Sequence, residues 1–266
     1  MAWNSILTIE SETNGLLGPN DPAPFGIFNA EGASPFLLIG DHAGSAIPRA
    51  LGDLELPPVD RARHIAIDIG VLGMGRQLAQ LLDAPFLHQT YSRLVIDCNR
   101  DPARADAIPT VSDGSSIGGN EGLDDAARRA RIGHIHQPYH AALEAILDAR
   151  QSAGRDTILL SLHSFTPIMA GGARPWHVGV MHWRGRSDFA QAMLQALTAQ
   201  GDTIVGDNEP YAMDDTDYTV PRHAFPRGLA YAEIEVRQDL IATADGEAQW
   251  AARLAASCRA APLEGR

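Results

Sequence analysis

The chain has 266 residues and a mass of 28.5 kDa, enough to bury a core without a metal or disulfide staple. Its 45% apolar and 20% charged residues exclude a disordered or fibrous chain. A formal net charge of -12 disfavours binding to phosphate backbones, so no nucleic-acid partner is expected.

All 21 basic residues are arginine, which excludes a lysine Schiff base, a pyridoxal phosphate anchor and a P-loop lysine. Cys98 and Cys258 lack metal-knuckle spacing, no secretory leader is visible, and no apolar run is long enough for a membrane span. A cytoplasmic protein without a membrane partner is expected.

Residues 1–35 read as an irregular lead-in, rich in Gly, Pro, Asn and Asp from residue 11. Pro35 to Ile39 is a short apolar run with the character of a strand buried on both faces. Asp60 is suited to cap a helix through Leu82. Leu94-Val95-Ile96 reads as the next strand, and residues 101–121 as a long loop of the kind that carries function. Leu123 to Arg150 is helical by composition, with Pro138 kinking or dividing it. Strands follow over 157–162 and 176–181, a helix over 187–200, strands over 203–205 and 229–236, and a last helix over 247–256. The alternation predicts one α/β domain spanning 1–266 with a mostly parallel or mixed sheet.

Ligands of open α/β sheets sit beyond the carboxyl ends of the strands, so the residues there matter most. Asp41 and His42 follow the first apolar run, and Asp97, Cys98, Asn99 and Arg100 follow the second. His163 and Ser164 follow the third, while Glu233 and Glu235 alternate on one face of the last strand. Imidazoles with a carboxylate are the usual ligands of catalytic zinc, a glutamate can shuttle the proton, and an arginine can grip a carboxylate. Taken singly, each residue could equally be a turn, an ion pair or a solvent face. His136 and His140 have helical metal-ligand spacing, but Pro138 lies between them and no HExxH glutamate is present.

Several segments, in order from residue 36 to about 241, resemble N-formylglutamate amidohydrolases. Gly40-Asp41-His42-Ala43-Gly44-Ser45-Ala46-Ile47-Pro48 resembles their PHSGxxIP segment, and Ser92 to Arg100 their SRxVxDLNR signature. Gln137-Pro138-Tyr139-His140 resembles an xPYH stretch, Leu162-His163-Ser164 their HS motif, and Tyr231 to Leu240 (YAEIEVRQDL) their EIRxxL turn. DHAG replaces their PHSG, and the segment RGLAYAEIEVRQDLI (227–241) resembles a sister branch of the histidine-degrading enzymes.

The resemblance implies a single-domain α/β/α sandwich like that of zinc carboxypeptidases, with one zinc per chain. His42 and His163 would be ligands. Ser45 stands where related peptidases have the glutamate of an HxxE pair, so Asp68 is the candidate third ligand. Glu235 would be the general base, with Glu233 as its rival. Asn99 and Arg100 match positions that hold a substrate carboxylate. Arg237 is a second clamp or a salt-bridge partner, Arg93 carries the same ambiguity, and His223 lies where substrate loops belong. The implied reaction is hydrolysis of a small N-acyl amino acid, nominally N-formyl-L-glutamate to formate and glutamate. The alternatives are action on another acyl amino acid or dipeptide, or a non-catalytic carboxylate-binding protein.

Overall fold

Apolar runs become central strands because helices cover both faces of the sheet. The computed structural model describes residues 15–261. Seven strands form one sheet: β1 (Phe25–Phe28), β2 (Phe36–Gly40), β3 (Phe86–Gln89), β4 (Ile158–Phe165), β5 (Val178–Met181), β6 (Val205–Asp207) and β7 (Ala230–Arg237). Their spatial order is β1-β3-β2-β4-β7-β5-β6. The central strands β3, β2, β4 and β7 are parallel. β1 is antiparallel to β3, while β5 is antiparallel to β7 and parallel to β6. The sheet is therefore mixed.

The main helices are α1 (Val71–Leu82), α2 (Asp125–Arg131), α3 (Gln137–Ser152), α4 (Asp188–Thr198) and α5 (Ala244–Ala260). Leu38, Leu160, Leu162 and Ile234 point to one face and pack in one core with α1, α4 and α5. Leu37, Ile39, Leu159 and Tyr231 point to the other and meet α3. The architecture is a helix–sheet–helix sandwich. A third apolar cluster, including Leu54, Ile65, Val95, Ile96 and Ile135, anchors the loops at one end. No helix among the described residues is long and apolar enough to cross a membrane.

Four local readings change. The helix expected from Asp60 to Leu82 is interrupted: a single turn, Pro58–Arg61, precedes a stretch of turns, and α1 starts at Val71. Gly70 adopts a left-handed φ of 81°, and a Cβ there would collide with the Ile241 carbonyl, so the chain turns where a helix would continue. Leu94-Val95-Ile96 is not a strand but a buried turn. Its carbonyls are taken by side chains, Asn120 Nδ2 donating to Leu94 O (2.8 Å) and Arg131 Nη1 to Val95 O (2.9 Å), which permits burial without a ladder. The strand of that region is β3, upstream. The lead-in holds β1, and its residues 1–14 lie outside the described chain. Pro138 does not divide its helix, because a π-helical turn, Ile132–His136, joins α2 to α3 and leaves Pro138 in the first turn of α3, where its missing N–H is tolerated.

Candidate metal centre and active site

The face of the sheet that packs on α3 changes character along the strands. In β4, Leu159 is followed on that face by Ser161 and His163; in β7, Tyr231 is followed by Glu233 and Glu235. The parallel register sets Glu235 beside His163 and Glu233 beside Ser161. His42 leaves the end of β2, and the Asp68 N–H donates to the His42 carbonyl at 3.0 Å, drawing the 62–70 turns onto the sheet edge. These side chains line a cavity of about 470 Å³.

His42, Asp68 and His163 each offer a ligand atom, all within 4.8 Å of one another, and none of the three is more than 3% exposed. His163 Nδ1 lies 2.9 Å and His42 Nδ1 3.5 Å from Asp68 Oδ2. His42 Nε2 lies 2.7 Å from Asp97 Oδ1, which places a proton on Nε2 and leaves Nδ1 as the ligating atom. That Nδ1 is buried with no hydrogen-bond partner. Arg93 braces both carboxylates, its Nη2 2.7 Å from Asp97 Oδ2 and its Nη1 3.4 Å from Asp68 Oδ1. Two imidazoles, one carboxylate and an outer shell of aspartate and arginine suit a divalent cation. The cluster could bind a metal.

Its electrostatics agree. Burial and the adjacent Arg93 oppose a proton on His42, but Asp97 and Asp68 outweigh them and raise its pKa. Burial also opposes protonation of His163, yet its bond to Asp68 and the charges of Glu233 and Glu235 raise it well above the ordinary range. The buried carboxylates thus favour positive charge at this point. Burial pushes Glu235 up to about 7, with His163 partly offsetting it, in the range suited to a general base near neutrality. Glu235 and Glu233 each bury an Oε2 that lacks a partner.

The other expected residues divide. Arg93, Asn99, Arg100, Glu233 and Glu235 line the cavity with the metal cluster. Arg100 sits at its edge, its Nη1 donating to Asn99 O (2.9 Å) and Thr216 O (3.3 Å). Asn99 has both ends of its amide occupied: Oδ1 accepts from the N–H groups of Tyr218 and Thr219 at 2.9 and 3.0 Å, and Nδ2 donates to Asp217 at 3.3 Å. It builds the wall. Asp97 pairs with His42 and Arg93, and its carbonyl accepts from the Arg100 backbone N–H at 3.3 Å.

Arg237 and His223 lie outside the cavity lining. Arg237 pairs with Asp239 at 2.8 Å beyond the end of β7. His223 is buried, stacked on His140, with its Nε2 3.0 Å from His140 Nδ1. His136 and His140 do not form a metal site: their Nε2 atoms lie 3.1 and 2.9 Å from the carbonyls of Arg100 and Cys98. His64, Tyr211 and Asp217 also line the cavity. They sit in turns and loops without periodicity, outside the 101–121 loop, and no sequence signal singled them out.

A family model described as N-formylglutamate amidohydrolase matches residues 34–242. Among solved structures, a gene product of Agrobacterium tumefaciens is 35% identical, with 92% of this chain and 97% of that chain covered and a TM-score of 0.90. The N-formylglutamate amidohydrolase from Ralstonia eutropha JMP134 is 23% identical, with 90% and 97% covered and a TM-score of 0.62, a likeness of fold. No curated protein matches the chain.

Proposed function

Because the chain belongs to the N-formylglutamate amidohydrolase family, we propose that it hydrolyses the amide bond of a small N-acyl amino acid using one zinc ion per chain. The observation that carries this reading is the unpartnered, buried His42 Nδ1 beside Asp68 and His163, in a cavity that also holds Glu235. His42, Asp68 and His163 would hold the metal. When bound, the ion supplies Lewis acidity, which acidifies water and polarises an amide carbonyl.

The chain's own residues do the rest. Glu235 takes a proton from the attacking water at its free carboxylate oxygen and returns it to the leaving amine nitrogen. Asp97 and Arg93 orient His42 and Asp68, so the ligand atoms are in place before substrate arrives. Arg100, at the cavity edge, faces the substrate α-carboxylate.

The test is zinc stoichiometry together with formate release from N-formyl amino acids. Zinc-reconstituted wild type is expected to hold one zinc and release formate, and His163→Ala to lose the metal. Glu235→Gln should keep the zinc and lose roughly 10²- to 10⁴-fold in turnover. A wild-type protein without specific zinc binding would overturn the mechanism in favour of a non-catalytic carboxylate-binding protein.

A further inference from the structure

The charge of the cavity does not suit an acidic substrate. Eight carboxylates line it against two arginines. Both arginines already face carboxylates of the protein: Arg93 spans Asp68 and Asp97, and Arg100 lies 3.7 Å from Asp106 and 3.9 Å from Asp217. Beyond the metal cluster and Glu235, the lining holds Asp106, Asp113, Asp214, Asp217 and Glu233. Asp106 and Asp113 are paired with Arg104 and Arg63, which leaves Asp214, Asp217 and Glu233 as the part of the wall that would repel a second substrate carboxylate.

Glu233 supplies an independent observation. It is 5% exposed, lines the cavity and buries an Oε2 with no hydrogen-bond partner, although the reaction proposed above needs only Glu235. A buried carboxylate oxygen without a donor is costly, and a ligand N–H or cation removes the cost. Asp217 is held for the same use, its Oδ1 accepting from Asn99 Nδ2 at 3.3 Å and its Oδ2 from the Asp214 N–H at 3.0 Å. Burial raises the Glu233 carboxyl well above its ordinary range, with the charge of His163 partly offsetting the rise and that of Asp217 adding to it.

We propose that Glu233 and Asp217 form a subsite for a cationic side chain, so that the preferred substrates are N-acyl derivatives of basic amino acids, bearing a guanidinium or ammonium group, and not N-formylglutamate. The inference rests on the amide-hydrolase reading and names the substrate class of that same site. The guanidinium would complete the unpartnered carboxylate and take over Asp217, so that Arg100, whose contacts with Asp106 and Asp217 are long at 3.7 and 3.9 Å, can meet the single α-carboxylate.

The test compares kcat/KM of the zinc-loaded protein for N-formyl-L-arginine and N-formyl-L-glutamate. Calorimetric binding of L-arginine and L-glutamate to the metal-free protein is measured alongside. The arginine derivative should be favoured at least about tenfold, and Glu233→Gln and Asp217→Asn should each reduce that ratio by about tenfold, the worth of one charged hydrogen bond. The binding preference should fall in parallel. Preference for the glutamate derivative, or a ratio unmoved in both variants, would overturn the subsite while leaving the hydrolase reading intact. If neither probe is hydrolysed and L-arginine still binds in preference through Glu233, the subsite stands and the reaction falls.

Discussion

His42 is the clearest case of a side chain whose surroundings decide its chemistry. One ring nitrogen is fixed by Asp97 at 2.7 Å and the other is left bare in a buried cluster. Asp97 is fixed in turn by Arg93, so the direction of the bare nitrogen depends on an arginine that also reaches Asp68. Asp97→Asn is expected to weaken zinc affinity by about 10- to 100-fold, as loss of an outer-shell carboxylate does, with zinc titration as the measurement. His42 and His163 are legible in the sequence because each stands at or just beyond an apolar strand, and Asp68 because a third ligand is missing from the HxxE position. For Arg237 the sequence leaves a clamp and a salt bridge open, and the pair with Asp239 two residues on favours the salt bridge.

Among the elements, β2, β4 and β7 are legible because unbroken apolar runs have few other destinations than the middle of a covered sheet. β3 is not: Phe86–Gln89 is short and mixed, and the more apolar Leu94-Val95-Ile96 competes with it while belonging to a loop core. The interruption before α1 is hidden in the same way. Residues 62–70 carry helical periodicity, yet the turn that ends at Gly70 brings Asp68 to the sheet edge. Gly70→Ala should cost more than about 1 kcal/mol, since it adds a left-handed penalty to a collision with the Ile241 carbonyl. A lowered urea midpoint would show this, and weaker zinc binding would show that Asp68 moves with the turn.

At the scale of the whole molecule, the buried rings of His136, His140 and His223 give stability a pH-dependent contribution of known sign, opposite to that of His42 and His163. Burial lowers the pKa of His136, takes His140 well below its ordinary value and takes His223 to about 3. Between the unfolded value of 6.5 and these depressed values the unfolded chain binds more protons at these three rings, so their contribution to stability is full above about pH 6.5 and falls as the pH drops. The difference in urea midpoint between wild type and His223→Gln should therefore shift steadily in favour of the variant from about pH 6.5 to 4. A difference constant over that range would contradict the neutral, buried state of His223.

The three apolar clusters close without His42, Asp68 or His163, and Asp97 and Arg93 hold the ligating groups from within the chain. On the zinc reading proposed above, an ion would enter a socket whose ligating groups the chain's own residues already hold. Metal exchange would then proceed without rebuilding the protein, and the identity of the resident ion would follow from supply and ligand chemistry at the moment of loading. Catalytic competence and structural integrity would be separable properties of this chain, the first open to being switched off while the second persists.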